Sequence, residues 1–207
     1  MLYLDPSEYE AHGLEAATPA SWVAAASALM DAHCRRPTLG LAQYTERLRL
    51  AGGRNTVRVS YLPLATVAPA TSPIVSARAR YAVPRRGETQ ADFAADVALA
   101  FSLPGAWTAL DPAGLEFDAN TGEITFAANP LGLAFNQAEL TYTAGVSSVP
   151  EPLKFACAQI VRNALATPAL NVRVNHLDRI HFEYFADTLV DKDVRLLLAP
   201  YLAQKLA

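Results

Sequence analysis

The spacing of apolar residues changes twice along this chain, and that limits the architectures open to it. Near both ends apolar side chains recur at about 3.6 residues, as on a helix with one buried stripe; between them they alternate, as on a half-buried strand. At the N-terminal end, Asp5-Pro6 predicts a short helix that Gly13 ends, since proline suits a first helical position and glycine a C-terminal cap. Thr18-Pro19 repeats the signal, with Thr18 as cap and Pro19 as first residue. Trp22, Ala26, Leu29 and His33 then share a stripe, with Val23, Met30 and Cys34 alongside. Arg35-Arg36-Pro37 closes this helix with cations at its negative end.

The period then becomes two. In Tyr44–Leu50, Tyr44, Glu46, Leu48 and Leu50 share a face; Gly52-Gly53-Arg54-Asn55 is a turn, and Val57, Val59 and Tyr61 fall in register after it. The pattern predicts a hairpin with a solvated, arginine-bearing side holding Arg47, Arg49 and Arg58. Pro63, Pro69 and Pro73 punctuate a loop, and Ile74–Val83 alternates again. Gln90–Leu103 fits either period and is read as strand in its second half. Leu115–Phe117 and Glu123–Phe126 flank an Asn120-Thr121-Gly122 turn as a second hairpin, and Ala138–Thr143 is a further strand. Helical spacing returns after Val149-Pro150, with Leu153, Cys157, Ile160, Val161, Ala164 and Leu165 on one face. Asp191 caps a last helix carrying Val194, Leu197, Leu198 and Tyr201, which Pro200 must kink or shift.

With 207 residues, 52% apolar and 18% charged, the chain suits one domain with an elaboration and is too apolar to be disordered. The 40 alanines, and 14 arginines against 3 lysines, read as codon bias. The acidic start MLYLDPSEYE lacks the basic and apolar regions of a secretory signal. Pro104-Gly105 breaks the apolar stretch 97–110, which is shorter than the roughly 20 residues of a membrane span. The net charge of −3 hides segregation. Residues 1–34 carry five acids and no Lys or Arg; residues 35–90 carry ten arginines against Glu46 and Glu88; residues 91–150 carry seven acids and no base. Three readings fit: nucleic-acid binding, pairing of basic with acidic strands inside one fold, or a basic face meeting an acidic face on a neighbouring subunit.

Motifs for chemistry are missing. There is no glycine-rich phosphate loop, nucleophile elbow or two-histidine zinc motif. Ser147 and Ser148 read as turn or cap residues. Cys34 and Cys157 sit among alanines and read as buried small hydrophobes. His176 and His181 would point oppositely on a strand, and Asp118-x-Asn120-x-Gly122-Glu123 lacks the ligand series of a calcium loop. No catalytic residue, metal ligand or cofactor site is expected.

One stretch is distinctive. Residues 140–165, LTYTAGVSSVPEPLKFACAQIVRNAL, run from a strand through a short loop to a helix begun by Val149-Pro150. This resembles the signature of phage head–tail connector (adaptor) proteins. The Thr18–Arg36 helix, the segment YTERLRLAGGRNTVRVSYLPL that follows it, and the close DKDVRLLLAPYLAQKLA are similar to the same family, so the matching stretches cover roughly 1–62 and 138–207. Residues 63–137 depart from it, being longer than the link of the small helical members.

The resemblance implies an α+β fold. A small helical bundle core, made of the N-terminal helices, the 150–166 helix and a C-terminal helix, would carry an antiparallel sheet or sandwich insertion. The single connector domain would comprise a helical core at 1–43 and 145–207, with a C-terminal arm from about 168. A β-rich portion at 44–144 would hold the insertion at about 63–137. It further implies a non-enzymatic virion protein made in the bacterial host, forming a ring, usually a dodecamer, beneath the portal in the neck. The ring would extend the DNA channel, touch passing double-stranded DNA through its backbone only, and offer a surface to a stopper or tail-completion protein. Ile180, Phe182, Tyr184, Phe185, Val194, Leu197 and Tyr201 are the candidate portal-docking arm; Arg78, Arg80, Arg85 and Arg86 are the candidate inter-subunit basic segment. The rival expectations are a head-closure or tail-terminator ring, and a β-rich binding module with an aromatic patch at Trp107.

Overall fold

The structure is a computed structural model that describes residues 1–50, 55–82, 105–127, 135–166, 174–177, 180–183 and 189–204. The chain is mixed α and β, with every strand-to-strand ladder antiparallel. It divides into two compact units: Met1–Gly40 with Val146–Leu202, and Leu41–Gly145 with Ala203–Ala207.

The first unit holds helices α1 (Ala20–His33), α2 (Glu151–Ala166) and α3 (Lys192–Leu198), with α1 against α2 and α2 against α3. Val23, Met30, Leu153, Cys157, Ile160, Val194 and Leu198 close one core. Asp5 caps a 3-10 turn at Pro6–Glu8, its carboxylate accepting from the Ser7 amide, and a second turn ends on Gly13 at φ 76°. Both signals were predicted. The α1 start lies one residue later than predicted: Pro19 holds the cap position, and Thr18 makes no side-chain cap. The buried face of α1 is Val23, Ala26, Ser27 and Met30, so Trp22 falls off the stripe and is 41% exposed. On α2, Leu165 likewise points outward. Burial raises the pKa of both Cys34 and Cys157, and both are free thiols.

Helix α1 ends in a paired cap. The Arg36 amide donates to Asp31 O and the Arg35 amide to Ala32 O, the Schellman pattern that usually takes glycine. Here Arg35 adopts the left-handed φ of 56°. Arg36, one of the two cations at this helix end, is buried, its Nε donating to Thr38 O and its Nη1 to Tyr201 O. Asp31 accepts from Tyr3 Oη and the Leu39 amide, and burial followed by that acceptor pushes Tyr3 up to about 12.

The second unit contains a four-stranded sheet of β1 (Ala42–Arg49), β7 (Gln137–Ala144), β3 (Ile74–Arg80) and β4 (Thr108–Leu110), in that order. A three-stranded sheet has the order β2 (Thr56–Arg58), β6 (Glu123–Thr125), β5 (Glu116–Phe117). The first predicted hairpin does not form: β1 pairs with β7 and β2 with β6. Local alternation found the strands but not their partners, because each strand took a long-range partner that completes a shared core. Tyr44, Leu140 and Tyr142 of one sheet and Val57, Ile124 and Phe126 beside the other form that core. The predicted hairpin of β5 and β6 does form. Its turn spends Asp118 on the amides of Asn120 and Thr121, which leaves a plain turn. Glu46, alone among the apolar face of β1, accepts from Tyr142 Oη and the Ser60 amide. Burial, and then Glu46, raise the Tyr142 pKa far above its ordinary value.

In the first unit, β8 (Val174–Leu177) and β9 (Ile180–Glu183) form a two-stranded ribbon. His176 and His181 are register partners across it, so they stand on two strands and not, as the spacing argument supposed, on one. The ambiguous segment 90–103 lies outside the described residues. No helix among the described residues is long and apolar enough to cross a membrane.

Two substitutions probe these turns. Gly122 sits at φ 70°, and an added Cβ would lie 2.6 Å from Leu62 Cδ2 and 3.0 Å from Val59 Cγ2. Gly122→Ala is expected to lower stability by about 1–3 kcal/mol, read from the denaturant midpoint. Arg35→Gly should raise it by roughly 0.5–1 kcal/mol in the same assay, by relieving the left-handed strain.

Candidate functional site

The functional features of the described residues concentrate on the outer face of the four-stranded sheet. On β1 the odd-numbered residues face out while Tyr44, Glu46 and Leu48 face the core; on β7 Gln137, Glu139 and Thr141 face out, with Ala138, Leu140 and Tyr142 buried. Antiparallel register then stacks three polar rungs. Thr45 lies opposite Thr141, Arg47 and Arg78 flank Glu139, and Arg49 and Arg80 flank Gln137.

Each rung is bonded across the strands. The hydroxyls of Thr45 and Thr141 are 3.0 Å apart. Arg47 Nε donates to Glu139 Oε2 at 2.5 Å, and Arg78 Nε to Glu139 Oε1 at 2.8 Å. Arg80 Nε donates to Gln137 Oε1 at 2.8 Å. One carboxylate therefore accepts from two guanidiniums, one on each neighbouring strand. The bond from Arg47, reinforced by Arg78, holds the Glu139 carboxyl below its ordinary value against the opposing effect of desolvation.

Trp107, just ahead of β4, completes the face. The guanidinium carbons of Arg80, Arg78 and Arg47 stand 4.5, 5.0 and 5.8 Å from its ring centroid. Each is within the roughly 6 Å reach of a cation–π contact. The indole gathers three like charges that would otherwise repel, and Glu139 neutralises one of them. The result is a cationic platform around a half-buried aromatic.

The predicted site residues fall in different places. Arg78 and Arg80 are on this platform, bonded to Glu139 and Gln137 of their own chain, so part of the charge segregation is spent on pairing inside one sheet. Arg85 and Arg86 lie outside the described residues, as do Tyr184 and Phe185. Ile180 and Phe182 belong to β9. Val194 is fully buried in the core of the first unit, with Leu197 and Tyr201 partly buried against it. As placed, Val194 packs in the core of its own unit, while Leu197 and Tyr201 keep part of their surface exposed. The outward apolar residue of α3 is Leu196, 75% exposed, which the sequence reading missed. It also missed Arg47 and Glu139 as a unit. Their alternation phase was legible, but their pairing depends on which strands become neighbours.

The Glu139 arrangement has an acid signature. Its folded pKa lies below the unfolded value of about 4.5, so its contribution to stability is full above that pH and is lost as pH falls through the folded value. Glu139→Gln is therefore expected to be less stable than the parent at neutral pH and to show a shallower loss below about pH 4.5. Urea midpoints measured across that range check it.

No protein-family model matches this sequence, and no curated protein matches it.

Proposed function

We propose that this chain is a structural, non-enzymatic head-to-tail adaptor of a tailed bacteriophage. It forms a ring, dodecameric by resemblance, beneath the portal at the neck of the virion, extends the DNA channel and carries the docking surface for a stopper or tail-completion protein. In this reading the three helices of the first unit are the small bundle core, and the β unit is the elaboration upon it.

The observation that carries the reading is the organisation of residues 140–165. They form the second half of β7, a turn at Gly145 with φ 121°, and helix α2 from Glu151. This is the strand–loop–helix order that the resemblance rests on, and α1, from the second matching stretch, packs directly on α2. The outward Leu196 and Trp22 offer apolar contacts on the helical unit, as an assembly subunit needs.

Native mass spectrometry of the chain mixed with the portal protein of the same phage tests the reading. The expected outcome is a complex whose copy number matches the portal ring. Absence of binding, or a stoichiometry unrelated to the portal, overturns it. Leu196→Asp is expected to weaken that complex while leaving the urea midpoint of the free chain within about 0.5 kcal/mol of the parent, because the side chain is solvent-exposed.

A further inference from the structure

The two sheets of the β unit contribute their inner faces to one core. Successive residues of a strand point to opposite sides, so the outer faces of the two sheets look away from each other. Their charges are opposite. Among the described residues the four-stranded sheet presents Arg47, Arg78 and Arg80 around Trp107, with Glu139 between the first two. The three-stranded sheet presents Glu116 and Glu123, both exposed and opposite Thr125 and Arg58 in register, with the exposed Asp118 in the adjoining turn.

Faces on opposite sides of one sandwich cannot meet within a chain. We propose that they meet between chains: the arginine platform of one copy receives the acidic outer face of the three-stranded sheet of a second copy. The contact is heterologous, since two different surfaces are joined. It leaves one unsatisfied face of each kind on every dimer and so propagates until a rotation closes it. Arginine and tryptophan are the side chains most enriched at the energetic centres of interfaces, and Trp107 lies among three arginines at the middle of this one. A polyanion such as DNA is the less favoured occupant, because the chain as a whole is acidic, with a pI near 5.8. This contact specifies which faces meet in the ring proposed above and rests on that reading only for closure; the contact itself needs no portal.

Sedimentation velocity on the free chain tests it with a reversal of charge. One variant inverts the platform while keeping its ladder pairs opposite in sign: Arg47→Glu, Arg78→Glu and Arg80→Glu with Glu139→Arg. A second inverts the other face: Glu116→Arg with Glu123→Arg. Circular dichroism and the urea midpoint verify that each folds; should the fourfold variant fail to fold, Arg80→Gln with Arg78→Gln replaces it and should weaken association.

The parent chain is expected to associate with rising concentration at low ionic strength, and to dissociate near 1 M salt, where screening reaches about 3 Å. Each inverted variant alone should sediment as monomer, and an equimolar mixture of the two should associate again. A parent that stays monomeric throughout overturns the proposal, as do variants that associate like the parent or a mixture that does not recover. Platform variants that lose binding to a labelled duplex oligonucleotide while self-association is unchanged overturn it in favour of DNA. Portal binding is scored separately by native mass spectrometry. Failure there with association intact overturns the adaptor reading alone.

Discussion

Strand β7 is the member on which the β unit depends. It is paired along both edges, with β1 on one side and β3 on the other. Ala138, Leu140, Tyr142 and Ala144 are completely buried on one face, while Glu139 on the other accepts from Arg47 and Arg78 of the two flanking strands. The same strand therefore fixes the core register and the placement of charge. A slip of one residue would bring Glu139 into the core and Leu140 into solvent, which is why the register is so strongly specified. The Tyr142 hydroxyl adds a polar constraint from within, since it donates to Glu46 and accepts from the Tyr61 amide.

Much of the local structure was legible in the sequence. Asp5, Gly13 and Asp191 act where their chemistry suits them, and the alternation in residues 44–50 and 138–142 marked strands whose inward and outward faces are as spaced; in 74–80 a register shift between Ile74 and Ser76 buries Ile74 and turns Val75 out, against the spacing. What was not legible was partnership. The turn signal at Gly52-Gly53 suggested that β1 and β2 pair with each other, yet they lie in different sheets whose inner residues share one core. Helix faces failed for a related reason. The apolar stripe of α1 was wide enough to admit two orientations, and the neighbours of Val23 and Met30 decided the one that leaves Trp22 outside. Arg36 shows the limit in another way: its burial serves two carbonyls, Thr38 O and Tyr201 O, the second of them 165 positions away in the chain.

The candidate site was only half legible. Charge segregation showed that arginines and acids occupy different segments, but not that Arg47 and Arg78 would converge on one carboxylate. That convergence changes the meaning of the net charge. Pairing removes some of the segregated charge within the sheet, and what remains is divided between two opposed surfaces. The cation–π contacts of Trp107 give the surplus arginines a fixed geometry instead of leaving them as mobile solvated side chains.

The chain passes into the β unit at Leu41 and out of it at Gly145, and these points are neighbours. Ala42 pairs with Ala144, and Gly40 bridges to Val146. The unit thus leaves and rejoins the chain of the first unit across a gap of about one strand spacing, roughly 5 Å, and within it the Gln204 amide donates to Ser60 O. A module anchored in this way can be lengthened, shortened or exchanged by recombination without moving the ends of the helices on either side of it.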